Sequence, residues 1–238
     1  MKKAIVIGAS SGIGRELVKI LSRNQYLVGV MARRVNLLDE LRNEIECKLF
    51  VKEIDVADPE SAMEILGKFI KEMGGVDLVV ISAGTGEINN SLNWPLENQT
   101  IKTNVTGFAA LANVAMHHFT EKGFGHLVGI SSIAALRGGR ESPAYNASKA
   151  FESNYLEGLR QKVRKAGLPI TVTDIKPGFV KTAMAKGEGI FWAAEVNKAA
   201  MQIYGAIKQK KSHAYITRRW RLVAWIFKLI PGFIYERL

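Results

Sequence analysis

The chain has 238 residues, of which 47% are hydrophobic, and its formal net charge is +11. This length and composition suit one large domain, and no stretch is linker-like or repetitive, so we expect a single domain. Its only cysteine, Cys47, excludes an intrachain disulfide and favours a reducing compartment.

The positive charge is compatible with nucleic acid, an anionic membrane or anionic ligands. No helix-turn-helix, zinc or RNA-binding signature is present, which argues against nucleic acid as a partner. The adjacent His117 and His118 point to different helix faces, so we expect no metal site. The apolar run near the first residue is too short for a signal peptide, and no stretch reaches the ~18 apolar residues that span a bilayer. We expect a cytoplasmic protein, attached at most to a membrane surface.

Short apolar runs alternate with amphipathic helical segments along most of the chain. Strands are predicted, in chain order, at KAIVIGAS, YLVGVMARR, CKLFVKEIDV, VDLVVISAG, GHLVGISSIAA, PITVTDIKPG and AYIT. Helices are predicted at SGIGRELVKILSRNQ, VNLLDELRNEIE, DPESAMEILGKFIKEMG (capped by Asp58 before Pro59), NQTIKTNVTGFAALANVAMHHFTEKG and PAYNASKAFESNYLEGLRQKVRKAG. This order predicts an α/β fold, a doubly wound parallel sheet of about seven strands with helices on both faces. Ligands bind such sheets beyond the carboxyl ends of the strands.

The first strand is followed by GASSGIG, at the turn into the first helix. Gly8 allows a tight turn, Gly12 the close approach of a pyrophosphate, and Gly14 the packing of helix on strand. A glycine pattern that opens a strand–helix–strand unit predicts a dinucleotide site. The same loop supplies the candidate cofactor contacts Ser10, Ser11 and Ile13.

The second strand ends at Ala32, where an NAD site carries an acid for the ribose 2′-hydroxyl. Arg33 and Arg34 follow instead, and guanidinium groups bind phosphate bidentately. This favours NADP(H) over NAD(H), with Arg33 as the main contact and Arg34 or Arg15 helping. The alternative is that both arginines are solvated charges at a helix entry.

Each later strand end also carries residues that a dinucleotide site can use. The candidate cofactor contacts there are Asp55 and Val56 after the third strand, Ala83 and Gly84 after the fourth, and Pro177, Gly178, Val180 and Thr182 after the sixth. Asn104 interrupts an apolar helical region, where it either breaks the helix, serves a site or is a satisfied core amide.

The fifth strand is followed by Ser131 and Ser132 and then by YNASK, in which Tyr145 and Lys149 share one helix face. Taken alone, this spacing is common in helices where the tyrosine packs and the lysine is solvated. The joint occurrence of candidate residues at successive strand ends favours a chemical role.

The motifs GASSGIG, DV, SAG, NVTG, ISS, YNASK and PGFVKT, in this order, resemble those of the classical short-chain dehydrogenase/reductase family, from about Lys3 to about Ala185. The resemblance implies a Rossmann-type fold and an Asn–Ser–Tyr–Lys tetrad at Asn104, Ser132, Tyr145 and Lys149. Ser132, rather than Ser131, matches because it lies thirteen residues before the tyrosine. Ile81 and Ser82 depart from the family's usual two asparagines, which affects local hydrogen bonding.

The resemblance implies hydride transfer between NADPH and a carbonyl carbon, with Tyr145 as the proton donor. A lysine cation ~5 Å away stabilises the phenolate that this proton transfer leaves behind. The resemblance also implies that Lys149 contacts the nicotinamide ribose. Asn104, Tyr145 and Lys149 are therefore candidate cofactor contacts as well. Ser132 donates to the substrate oxygen, and Asn104 positions a water.

The alternative function is a non-enzymatic NADP-binding sensor or interaction module, although such proteins commonly lose the tyrosine or lysine that this chain keeps. Phe191, Trp192 and Met201 follow the last motif and favour an apolar carbonyl substrate, unless they are ordinary packing residues. An NADP(H) preference favours reduction, and we expect a homodimer or homotetramer.

We divide the chain into a catalytic domain, 1–217, which includes a substrate-loop region at 183–205, and a tail, 218–238. From Lys208 onward there are eight basic residues and one acid. In the tail, the apolar residues Leu222, Trp225, Ile226, Leu229 and Phe233 follow helical spacing, and the basic residues Arg218, Arg221 and Lys228 share another face. This pattern suits an interfacial helix on an anionic membrane. The competing interpretation is a tail that covers the substrate pocket or forms a subunit interface.

Overall fold

The computed structural model describes residues 1–45, 47–183, 192–217 and 219–237. Within these ranges, parallel strands form a seven-stranded sheet in the order β3-β2-β1-β4-β5-β6-β7. The strands are β1 Lys3–Ile7, β2 Leu27–Ala32, β3 Leu49–Glu53, β4 Leu78–Ile81, β5 Gly125–Ile130, β6 Ile170–Pro177 and β7 His213–Ile216. The predicted doubly wound parallel sheet is confirmed.

Helices connect the strands and cover the sheet. They are α1 Gly12–Arg23, α2 Val35–Glu44, α3 Pro59–Glu72, α4 Trp94–Ile101, α5 Phe108–Lys122, α6 Pro143–Lys165, α7 Val196–Lys208, α8 Trp220–Leu229 and α9 Gly232–Tyr235. The strand order reverses at β1, whose neighbours are β2 and β4, so the crevice beyond the carboxyl ends of β1 and β4 is the expected ligand site.

Alternate side chains of β1 enter two separate cores, one on each face of the sheet. Ile5 and Ile7 belong to the first core, and Ala4 and Val6 belong to the second. All four are fully buried, which explains why this strand is a continuous apolar run rather than an alternating one.

Two local predictions can be compared directly with the structure. Asp58 caps α3 as predicted, because its carboxylate accepts from the Ser61 backbone N–H at 3.2 Å. The long helical region predicted around Asn104 is present as one continuous run, made of α4, a π-helical turn at Lys102–Gly107, and α5. No helix among the described residues is long and apolar enough to cross a membrane.

Candidate active site

The loop between β1 and α1 has the conformation that its glycines allow. Gly8 and Gly12 have φ values of +88° and +57°, in the region that side chains disfavour. A Cβ on Gly8 would lie 2.4 Å from the Ala83 backbone nitrogen, and one on Gly14 would lie 2.3 Å from the Gly8 oxygen. The loop therefore packs directly on the segment after β4, with the start of α1 above it. Ile13 packs into the second core and holds α1 on the sheet.

The segment after β6 faces this loop. A Cβ on Gly12 would lie 3.3 Å from Cγ2 of Thr182. The two segments can therefore approach this closely because Gly12 has no side chain. Val180 is buried and bridges to Ala194, while Pro177 ends β6 in register with Ile216. The glycine-rich loop leads into the N-terminus of α1, where backbone N–H groups and the helix dipole favour a phosphate.

The arginines around this loop have different partners. The Arg34 guanidinium donates to the hydroxyls of Ser10 and Ser11, at 2.9 and 3.0 Å. Arg15 instead donates to the Leu37 carbonyl at 2.8 Å and pairs with Glu44, which directs it along α2. Arg33 is exposed at the same turn as Arg34. Two cations thus border the glycine-rich loop where β2 ends.

The third strand end supports the π-helical turn. A Cβ on Gly107 would lie 2.0 Å from the Val56 carbonyl oxygen, so the turn packs tightly on this segment. Asp55 is exposed, and its carboxylate accepts from the Ala57 N–H at 3.0 Å. This contact is local to the loop between β3 and α3.

Asn104 is fully buried in the π-helical turn and joins two parts of the site. Its oxygen accepts from the Thr85 N–H at 2.9 Å, and its nitrogen donates to the Thr85 carbonyl at 2.7 Å and to the Ser148 hydroxyl at 3.0 Å. The Ser148 hydroxyl in turn donates to the Tyr145 carbonyl at 2.8 Å. Asn104 therefore lies where the helix widens to a π turn, and it fixes the loop after β4 against the first turn of α6. Single π turns are common at functional sites.

The two serines after β5 differ in their surroundings. Ser131 donates to the Asp174 carboxylate and to the Ile175 carbonyl, at 2.5 and 3.0 Å, which makes it part of the sheet. The Ser132 hydroxyl accepts from the Ala134 N–H at 3.1 Å and begins a 3₁₀ turn. Asn146 holds that turn against α6, because its amide donates to the carbonyls of Ala134 and Arg137 at 3.2 and 2.9 Å.

Tyr145 and Lys149 lie on the first turns of α6, facing the loop after β4. The Tyr145 ring packs on the Gly86 backbone, where a Cβ would lie 2.3 Å from Cδ2. The Lys149 ammonium lies 5.8 Å from the centre of that ring and donates to the Ile130 carbonyl at 3.1 Å. A Cβ on Gly84 would lie 3.3 Å from the ammonium and 3.4 Å from the Asn104 oxygen. The structure thus brings together Gly84, Asn104, Tyr145 and Lys149.

Glu152 is a residue that the sequence reasoning missed. Its side chain is fully buried, and its two carboxylate oxygens lie 2.9 and 3.0 Å from the Lys149 ammonium. Burial raises the pKa of Glu152 to about 7, although the lysine charge opposes this shift. Burial lowers the pKa of Lys149, but attraction to Glu152 outweighs it and leaves that pKa above its usual value. The signal was present in the sequence, because Tyr145, Lys149 and Glu152 share one helix face.

The tail packs on the segments that follow β5 and β6. A Cβ on Gly178 would lie 2.2 Å from the buried Trp220 side chain, whose ring meets the Phe179 ring edge-on at 5.5 Å. At the far end of the tail, the Tyr235 hydroxyl donates to the Gly138 carbonyl at 2.7 Å.

The residues predicted to cover the substrate are separated in the structure. Trp192 is half exposed and lies 6.4 Å from the Trp220 ring. Met201 lines a cavity of about 380 Å³ between α7 and β7, whose lining includes none of the tetrad positions. Phe191 lies outside the described residues.

The sheet, the glycine-rich loop and the residues gathered on α6 define the class of protein, a nucleotide-binding α/β oxidoreductase. Comparison with known proteins identifies the family: residues 2–190 match the family model described as short chain dehydrogenase. An uncharacterized oxidoreductase of Myxococcus xanthus is 40% identical over 188 residues, which cover 77% of this chain and 74% of the relative. The chain belongs to the short-chain dehydrogenase family.

Solved structures of the same family have the same fold. A short-chain dehydrogenase from Streptomyces avermitilis superposes with a TM-score of 0.82 at 25% identity, covering 95% of this chain and 91% of that one. A short-chain dehydrogenase from Sphingobium yanoikuyae, in complex with NADPH, gives a TM-score of 0.81 at 19% identity, covering 98% and 97% of the two chains.

Proposed function

We propose that this protein reduces an apolar ketone or aldehyde to the alcohol at the expense of NADPH. The observation that carries the proposal is the convergence of Tyr145, Lys149 and Asn104 beside Gly84, within the crevice that the glycine-rich loop borders. A module that only binds a nucleotide has no need for a buried ammonium next to a tyrosine ring.

Each residue has a defined task in this reaction. When bound, the cofactor supplies a hydride to the carbonyl carbon. Tyr145 supplies the proton to the carbonyl oxygen, and the charge of Lys149 stabilises the phenolate that remains. Ser132 donates a hydrogen bond to the same oxygen and holds it near the phenol. Asn104 keeps the first turn of α6 in place through Ser148, in addition to the water-positioning role expected of it.

The preference for NADPH rests on the arginines after β2. Arg34 is fixed beside the glycine-rich loop by Ser10 and Ser11, Arg33 is exposed next to it, and Ala32 stands where an NAD site carries an acid. Guanidinium groups in this position bind a 2′-phosphate. The Sphingobium relative with bound NADPH is consistent with this choice.

The tail is proposed to rest on an anionic membrane surface. Its apolar face points outward, with Leu222, Trp225, Ile226, Leu229 and Phe233 between 57% and 78% exposed, while Trp220 and Ala224 on the opposite face are buried. Arg219 and Arg221 are close to this face and carry the charge that anionic lipids attract. Arg218 and the side chain of Lys228 lie outside the described part of the chain. The competing occupant is a second copy of the chain, in a homodimer or homotetramer.

The proposed function is tested by comparing cofactor binding with turnover. We expect the purified protein to quench NADPH fluorescence and to consume NADPH when apolar ketones or aldehydes are added, with the matching alcohol as product. A protein that quenches NADPH but reduces no member of a broad carbonyl panel is a binding module, and the proposal fails.

A further inference from the structure

The lysine at this site has its own buried counter-ion. Glu152 is 0% exposed, Lys149 is 4% exposed, and both carboxylate oxygens are within hydrogen-bonding distance of the ammonium. A buried carboxylate is costly unless it is paired, so this contact is a specific feature of the interior rather than a surface ion pair.

The other charged groups near this pair are already matched. On β6, the buried Asp174 carboxylate accepts from Ser131, from Ser153 at 2.8 Å and from the Lys176 ammonium. Asp174 is thus already paired with Lys176, and its charge acts on Lys149 and Glu152 only from beyond direct contact. Lys149 itself donates to Glu152 and to the Ile130 carbonyl of β5. Of the two carboxylates, Glu152 is the one in direct contact with Lys149, and it sets how much lysine charge Tyr145 experiences.

We propose that Glu152 is a positioning residue that holds the Lys149 ammonium and offsets its charge at Tyr145, so that the phenol keeps its proton for transfer to the substrate oxygen. The transfer in this statement rests on the proposed function. The effect on the phenol does not, because it follows from charge and distance alone.

The size of the effect follows from helix geometry. Glu152 lies seven residues after Tyr145, about 10 Å along the same helix face. At an effective dielectric of ~20, one negative charge at that distance disfavours a second anion there roughly tenfold. Since the pKa of Glu152 is raised to about 7, the carboxylate becomes increasingly ionised, and the offset grows, as the pH rises through neutrality.

The test is a titration of Tyr145 in the protein without cofactor. The chain has six tyrosines, so the Tyr145 signal is obtained as the difference in phenolate absorbance between each protein and its Tyr145→Phe counterpart. Glu152→Gln keeps the shape and an acceptor oxygen but removes the charge, and it is expected to lower the midpoint by about one pH unit. Glu157→Gln makes the same charge change at an exposed position of α6 and is expected to leave the midpoint unchanged.

Two further measurements separate this role from a purely structural one. Glu152→Asp restores the charge and should return the midpoint towards the wild-type value. In the active enzyme, the decline of kcat/KM for reduction at alkaline pH should move to lower pH in Glu152→Gln by the same amount. An unchanged or raised midpoint in a folded Glu152→Gln protein overturns the proposal. An enzyme without carbonyl reductase activity would overturn the proposed function but leave the titration result standing.

Discussion

Tyr145 is the residue on which the proposed chemistry depends most directly. Its ring is held between the Gly86 backbone and α6, close to a buried ammonium. Tyr145→Phe fills the same space but has no proton to donate, so it is expected to keep NADPH binding and to lower kcat by at least ~10². Fluorescence titration and steady-state kinetics of the same preparation measure the two effects.

A second tyrosine on the same helix provides the control. Tyr155 stacks on Phe151 at 5.5 Å, away from the site residues in the chain, and Tyr155→Phe should retain near wild-type kcat. Near-normal carbonyl reduction by Tyr145→Phe would remove this phenol from the mechanism.

The arginines after β2 determine the choice of cofactor in this account. Arg33→Asp is expected to reduce the ratio of kcat/KM for NADPH over NADH by ~10-fold or more, because the acid repels a 2′-phosphate and accepts from a 2′-hydroxyl. Arg42→Asp is the matched control, since Arg42 is exposed on α2 and pairs with Asp39. A wild-type enzyme that already prefers NADH contradicts the assignment.

The residues differ in how far the sequence could predict them. Gly8 and Gly12 could be predicted because a backbone with a positive φ value favours glycine. The partners of Arg15 and Arg34 were not, because a flexible side chain can point either way from the same backbone position. Glu152 was missed because charged residues are seldom fully buried, and burial depends on how α6 packs against β6.

At the scale of elements, α8 tests the membrane proposal. Trp225→Glu places a charge on the exposed apolar face, and we expect it to weaken co-sedimentation with vesicles containing phosphatidylglycerol several-fold, through loss of an interfacial aromatic anchor. Salt should weaken the wild-type binding as well, because part of it is electrostatic.

A point substitution is preferable to deleting the tail, because Trp220 is packed against Gly178 and Phe179. Trp94→Glu is the matched control, since Trp94 and Trp225 are both 64% exposed. Equal vesicle binding by wild type and Trp225→Glu contradicts the membrane proposal. Dissociation of an oligomer by Trp225→Glu would support a subunit interface instead.

The elements also show which features apolar periodicity predicts and which it does not. Strands and helices with strong apolar patterns were predicted to within a few residues, as for α2 and β7. The π-helical turn was not, because its six residues are too few to reveal a period longer than about 3.6 residues. Only the poor helix former Asn104 signalled it, and its hydrogen bonds to Thr85 explain why the turn forms.

At the scale of the whole molecule, the buried His126 couples the stability of the sheet to pH. It is 8% exposed, contacts the Thr173 hydroxyl at 2.8 Å, and has its pKa lowered from 6.5 to about 4, mainly by burial. As the pH falls, the histidine therefore takes up its proton at a higher pH in the unfolded chain than in the folded protein. The free energy of unfolding should lose roughly 3 kcal/mol from this residue between pH 6.5 and pH 4.

This contribution is measured by denaturant unfolding across that pH range. His126→Gln should show a flatter dependence on pH than wild type, while His117→Gln, at an exposed position of α5, should follow the wild-type curve. Parallel curves for wild type and His126→Gln would mean that His126 is not the group responsible.

The global fold could be predicted because the alternation of apolar strands and amphipathic helices leaves few possible topologies. The substrate could not, because specificity depends on side chains that meet only in the folded chain, such as Trp192 against Trp220.

Isotope transfer is the sharpest test of whether Tyr145 and its neighbours perform carbonyl reduction. The protein is incubated with NADPH deuterated at C4 and a panel of apolar ketones, and the alcohols are analysed by mass spectrometry. We expect deuterium at the carbinol carbon with wild type, and at least ~10²-fold slower labelling with Tyr145→Phe at saturating cofactor. Saturated binding of NADPH with no labelled alcohol from any ketone, or equal labelling by both proteins, would contradict this mechanism.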